Sequence, residues 1–162
     1  MSRLKYFLGG VLLCFAGSSY GQSPHTTCSA SNASLSLGQY PSYSATPVDS
    51  SGVFTVTCTR TGGPPDTDIT VGLGPSANSG SIPNRQLRSA SGADVLNYNL
   101  YADASRLRVW GDTEGVNTVT ETIRLANKTS GSLNFNIYAR IDALQDVRAG
   151  LYSDSIVVTV SF

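Results

Sequence analysis

The chain has 162 residues, eleven of them lysine or arginine and eleven aspartate or glutamate, and 40% of the chain is hydrophobic. That length holds one domain with a real core and leaves no room for two comfortable ones. The charges balance and form no basic patch, which excludes the electrostatic footprint of a nucleic-acid binder, so no nucleic-acid partner is expected.

The first residues speak to compartment. Arg3 and Lys5 precede an apolar stretch from Tyr6 to Phe15, too short to span a bilayer. Ser19 and Gly21 fit the −3 and −1 positions of a cleavage site, so residues 1–21 read as a secretory signal peptide and 22–162 as the mature domain. An uncleaved anchor and a lipoprotein built on Cys14 are the weaker readings, the first for its length, the second because Leu13 is bulky. Taking away Arg3 and Lys5 leaves nine basic residues against eleven acidic, a net charge of −2, with Lys128 the only lysine. Two cysteines remain, Cys28 and Cys58. They allow one intramolecular pairing in a compartment where disulfides form. On the chain-entropy account a loop of this size contributes about 3–4 kcal/mol. Two thiols and one distant histidine do not make a zinc set, and no metal or cofactor is expected.

Strand signals follow in order. Ala33, Leu35 and Leu37 alternate ahead of Gly38. Phe54, Val56 and Cys58 share a face, which points the sulfur inward. Ile69, Val71 and Leu73 alternate until Gly74-Pro75 breaks the run. Leu96, Tyr98 and Leu100 come next, then Leu107 and Val109 lead into Trp110. Val119, Ile123 and Leu125 form a weaker run crossed by Glu121. Leu133, Phe135, Ile137, Ala139 and Ile141 make a long clean strand, with Asn134, Asn136, Tyr138 and Arg140 on its other face. From Asp154, Ile156, Val158, Val160 and Phe162 alternate with Ser155, Val157, Thr159 and Ser161 to the end of the sequence. Turn signals stand at Gly62-Gly63-Pro64-Pro65, Asn78-Ser79-Gly80, Gly111-Asp112, Ser130-Gly131 and Ala149-Gly150. About seven or eight short strands and no amphipathic helix point to an all-β antiparallel sandwich, with a barrel as the competing architecture. The last strand has two edges. No later residue covers the second, so an apolar edge open to another protein is expected.

Catalytic chemistry finds little footing. His25 is the only histidine and sits near the expected mature end, where it reads as an exposed spectator and not as part of a Ser-His-Asp set. Asp49, Asp66, Asp68, Asp94, Asp103, Asp112, Asp142 and Asp146 read as loop residues bonding local backbone. Gly72-Leu73-Gly74 is followed by no helix pattern and is not a phosphate loop. Asn32-Ala33-Ser34 and Asn127-Lys128-Thr129 match a sequon that matters only in a eukaryotic secretory pathway. Trp110, Tyr40, Tyr43, Tyr98, Tyr101, Tyr138 and Tyr152 fit a sandwich core or rim better than a sugar-binding surface.

Several motifs recur together. Leu37-Gly38-Gln39-Tyr40 closes the first strand, Leu96-Asn97-Tyr98-Asn99-Leu100-Tyr101-Ala102-Asp103 lies mid-chain, and Trp110-Gly111-Asp112 follows it. Tyr138-Ala139-Arg140-Ile141 and Gly150-Leu151-Tyr152-Ser153-Asp154 precede the terminal strand. With the spacing of Cys28 and Cys58, these resemble the spore coat protein U domain over 28–162. That family includes pilin subunits of archaic, Csu-type chaperone–usher pili. Ala139 stands where the family has glycine.

The resemblance implies an incomplete immunoglobulin-like antiparallel β-sandwich completed by a donated strand. It implies three partners: a periplasmic chaperone, an outer-membrane usher and a neighbouring pilin subunit donating a β-strand. The strand-acceptor and chaperone-binding edge would be Ile156, Val158, Val160 and Phe162, with Leu35 and Leu37. The expected role is a structural subunit, not an enzyme, secreted via the periplasm to a cell-surface pilus or coat and serving attachment or biofilm formation. Gln22 to Thr27 contains no aliphatic residue and includes Pro24, so this subunit should accept a strand but not donate one, which suits the tip or a chain end. The alternatives are a non-polymerising spore-coat-like surface protein and a secreted carbohydrate-binding module or hydrolase.

Overall fold

The computed structural model describes residues 8–15, 25–31, 34–92 and 94–162, and all of its regular structure is strand. The strands are β1 (Leu8–Phe15), β2 (Thr26–Ala30), β3 (Ser34–Gly38), β4 (Val48–Arg60), β5 (Asp66–Ser76), β6 (Arg85–Ser89), β7 (Val95–Tyr101), β8 (Val119–Arg124), β9 (Thr129–Ile141) and β10 (Leu151–Ser161).

Alternation in the sequence becomes alternation in burial. On β4, Phe54, Val56 and Cys58 are buried while Val53 and Thr57 are exposed. On β9, Phe135, Ile137, Ala139 and Ile141 are buried while Asn134 and Asn136 face water. Hydrogen bonding joins all ten strands, in the order β2-β4-β9-β7-β6-β10-β1-β3, with β5 branching from β10 and β8 from β5. The ladder folds over at β6, which pairs with β7 and with β10. One layer is β2-β4-β9-β7. The other is β8-β5-β10-β1-β3, and its β3 lies over β4 and β9. Between them Phe54 stacks on Phe135 at 5.3 Å between ring centroids, and Trp110 tilts against both. The arrangement is a β-sandwich.

Two turn signals turn out to serve other purposes. Gly74-Pro75 does not end β5, which runs on to Ser76. Ile156 pairs with Ser76 but Val158 with Leu73, so β5 carries a bulge there, the kind of site where a proline without an N–H is tolerated. Arg85 holds the bulge. Its guanidinium is fully buried and donates to the carbonyls of Leu73 (2.7 Å), Gly74 (2.8 Å) and Trp110 (2.9 Å) and to Asn99 Oδ1 (2.8 Å). Ser130-Gly131 likewise lies inside β9, with Gly131 opposite Cys58. The glycine is there for close approach. A Cβ on Gly131 would come 2.7 Å from Leu125 Cδ2, while Ser130 bonds Thr59 across the strands at 2.7 Å.

Other expectations shift as well. Leu107 and Val109 form no strand. Val109 makes one isolated bridge to Tyr101, and Leu107 is 86% exposed. β2 and β6 form strands without an apolar alternation to announce them. The expected open edge of β10 is paired along Leu151–Val158 by β1, a strand earlier in the chain. The residues around the expected cleavage point, 16–24, lie outside the described residues.

Candidate strand-acceptor slot

β10 pairs on one side with β5 and β6, antiparallel. On its other side is β1, running parallel to it from Leu8 opposite Leu151 to Phe15 opposite Val158. β1 is also antiparallel to β3, with Gly9 opposite Gly38 and Val11 opposite Leu35, across a bulge between Gly9 and Gly10. Among the described residues β3 has no other ladder partner. The body from residue 25 onward therefore has a gap one strand wide between β3 and β10, and Leu8–Phe15 lies in it.

The predicted edge residues divide into two groups. Leu35 and Leu37 on β3, and Ile156 and Val158 on β10, border the gap with their side chains buried in the core. Leu35 packs closely on Gly52 of β4, where an added Cβ would come 2.8 Å from Leu35 Cδ1. Val160 and Phe162 are half-buried and stand past Val158, where β1 ends. Val160 pairs with Val71 of β5.

Buried polar contacts fix the β10 wall. Asp154 is 3% exposed and on the core side, two residues before Ile156. Its carboxylate accepts from Tyr98 Oη at 2.7 Å, Asn78 Nδ2 at 3.1 Å and the Ser155 amide at 2.8 Å. Burial, together with the Asp154 charge, pushes the Tyr98 hydroxyl well above its ordinary pKa, so it stays a donor. At the other end, Tyr152 Oη donates to the Arg148 carbonyl at 2.9 Å, and Tyr40 Oη accepts from the Gln145 amide at 2.8 Å. The loop after β9 is thereby tied to the residues that follow β3. Gly38, at φ +80°, takes the left-handed conformation that ends β3. The sequence reading missed Asp154 and Arg85 as structural groups. Asp154 falls in phase with Ile156 and Val158, a polar residue on a core face, and that phase was the available signal.

The remaining candidates are structural in their surroundings. Cys28 and Cys58 sit directly opposite on β2 and β4 and form a disulfide. His25 is exposed and packs beside Gly62 and Gly63. Asp49, Asp66 and Asp68 lie in strands and not in loops. Asp49 takes a two-pronged bond from Arg140 at 2.8 and 2.9 Å and lies 3.3 Å from Arg106. Its carboxyl is held below the usual range chiefly by the Arg140 hydrogen bond. Asp103 accepts from Ser105 and from the Arg108 amide, which lowers it to about 2. Asp68 accepts from Thr122 at 2.6 Å. Trp110 donates Nε1 to the Val71 carbonyl at 2.9 Å and belongs to the core, as do Tyr40, Tyr98 and Tyr152. Among the described residues, no three of His, Cys, Asp or Glu gather as a metal site.

The Spore Coat Protein U domain family model matches residues 18–159. Protein U of Myxococcus xanthus is 34% identical over 97 residues, which is 58% of this chain and 51% of Protein U; the chain thus spans about half the length of that relative. Among solved structures, a chain of the CsuC–CsuE chaperone–tip adhesion subunit pre-assembly complex, from the archaic chaperone-usher Csu pili of Acinetobacter baumannii, is similar with a TM-score of 0.54. It is 17% identical, over 85% of this chain and 40% of that one. At this identity the likeness shows the fold, an immunoglobulin-like β-sandwich.

Proposed function

Because the chain belongs to the Spore Coat Protein U domain family, we propose that it is a structural, non-catalytic subunit of an archaic chaperone–usher pilus or surface coat, which works by accepting a β-strand from another protein. The observation that carries this reading is the one-strand gap between β3 and β10 in the body from residue 25 onward. A gap of that shape offers backbone hydrogen bonds on two edges and an apolar floor, the requirements of β-strand addition. Once residues 1–21 are removed on export, a periplasmic chaperone fills the gap with its own strand and delivers the subunit to an outer-membrane usher. A neighbouring subunit's strand then replaces the chaperone's. Three alternating apolar side chains buried in the gap would gain roughly 5–9 kcal/mol before entropic costs, enough for a lasting non-covalent joint.

The subunit accepts but does not extend. Thr26 and Thr27, the last residues before Cys28, are already committed to β2 and its pairing with β4. What remains ahead of them, Gln22 to His25, is short and polar. Both features favour a position at the tip or another chain end of an attachment or biofilm fibre. The same polar stretch favours a second reading, a coat protein that takes one strand and stops.

Expression in a periplasm with and without a co-expressed chaperone of the archaic chaperone–usher class tests the proposal. The mature chain should leave the periplasm bound to that chaperone and be degraded without it. A chaperone-free, monomeric, cooperatively folded mature chain would overturn strand acceptance. Denaturation-resistant homopolymers would overturn the chain-end position alone.

A further inference from the structure

We infer that Leu8–Phe15 is a built-in occupant of the slot, so that a chain carrying this segment is closed to outside strands and removal of the segment opens it. The inference rests on the strand-acceptor reading and adds a gate to it. Every residue of β1 has a register partner on β10, and β1 also reaches β3 on its other side. The pattern fits as well as the length. Gly9, Val11, Leu13 and Phe15 stand opposite Tyr152, Asp154, Ile156 and Val158, all four of which are buried. Gly10, Leu12 and Cys14 stand opposite Ser153, Ser155 and Val157, which are exposed or half-buried.

An export signal must be apolar throughout its core, whereas a slot strand must be apolar at alternate positions. The run Leu-Gly-Gly-Val-Leu-Leu-Cys-Phe satisfies both. The segment is also tethered to the domain that it enters. Pairing within one chain acts at an effective concentration that reaches the millimolar range, which an outside strand at micromolar concentration must overcome. A chaperone or neighbour would therefore meet an occupied slot until the segment is cut away or displaced. Cleavage then does two things in one step, releasing the chain from export and making it competent for assembly.

The full-length chain tests this directly through its register. In full-length Val157→Cys, positions 14 and 157 are register partners, and a disulfide between them should form on mild oxidation. Ser153→Cys, which faces Gly10, should not crosslink to Cys14. The second arm measures uptake of a labelled peptide copying residues 8–15, with serine at position 14. Full-length Leu13→Asp puts a charge at the register of buried Ile156 and should vacate the slot. It should take up the peptide at least about 100-fold more tightly than the unaltered full-length chain. No disulfide at position 157, together with equal uptake by both chains, would overturn the inference and leave strand acceptance standing. A disulfide without uptake by Leu13→Asp would overturn strand acceptance and the inference with it. Should Val157→Cys fail to fold, the pair Leu12→Cys and Ser155→Cys in a Cys14→Ser background reads the same register, and its crosslinking decides between the same two outcomes.

Discussion

Arg85→Leu is the substitution that most sharply tests why β10 has a firm wall. Arg85 is fully buried and donates to the carbonyls of Leu73, Gly74 and Trp110 at 2.7–2.9 Å, groups that the bulge in β5 and the loop at Trp110 leave facing inward. Removing the guanidinium leaves three buried acceptors without this donor. At about 1–3 kcal/mol each the loss is roughly 3–9 kcal/mol, and relief of the buried cation's desolvation offsets part of it. That desolvation is real: burial pushes the Arg85 pKa down, opposed by Tyr98 and by the charges of Asp154 and Asp112. The expected net loss is about 3–5 kcal/mol, a large share of a typical domain's 5–15 kcal/mol. Arg85→Lys, which keeps the charge but not the planar fork, should fall between the two. Urea unfolding of the full-length chain, followed by fluorescence of Trp110, the only tryptophan, measures this. A loss under about 1 kcal/mol would show that the bulge carbonyls find other donors and that Arg85 does not hold β5 against β10.

Further outcomes follow from the same structure. Replacing Cys28 and Cys58 together by serine should cost about 3–4 kcal/mol for a loop of 30 residues, and an unchanged urea midpoint would contradict this. Tyr98→Phe leaves the buried Asp154 carboxylate short of its 2.7 Å donor and should cost about 1–3 kcal/mol, with a change below about 0.5 kcal/mol refuting the role. Asp49 and Asp103 have folded pKa values below the ordinary 3.8, Asp103 at about 2. Their contribution is thus fully present above about pH 4 and lost as pH falls through the folded values. Thermal melting across pH 2–7 should show that loss, and Asp103→Asn should flatten it; a chain that gains stability on acidification would contradict the assignment.

Much of the fold was legible because half-buried strands write their burial into the sequence. Phe54-Val56-Cys58 and Phe135 through Ile141 gave β4 and β9 directly, and the inward phase of Cys58 is the phase of the disulfide. What failed to show is where local rules yield to tertiary ones. Gly131 looks like a turn because glycine usually marks one, yet here its missing Cβ makes room for Leu125. Pro75 looks like a stop, yet the bulge removes the need for its N–H and Arg85 satisfies the carbonyls around it. Arg85 itself hid β6, since a fully buried arginine is invisible to hydrophobic patterning. Alternation marked Leu35, Leu37, Ile156, Val158, Val160 and Phe162 alike as inward-facing; the first four border β1, whereas Val160 and Phe162 lie past its end, where β10 keeps β5 on its other side. Nothing in periodicity announces that the apolar segment Leu8–Phe15 and β10 share a register, because that match is set by two distant segments together.

Amide hydrogen exchange along Leu151–Val158 tests the central claim most directly. The protein is taken from the periplasm with its chaperone, then released, then supplied with a strand from a partner subunit. Strand acceptance predicts slow exchange in the chaperone complex, fast exchange on release as the edge facing β3 opens, and slow exchange again once the new strand is seated. Equally slow exchange in all three states would mean that β10 has no vacant edge and that the sandwich needs no strand from outside.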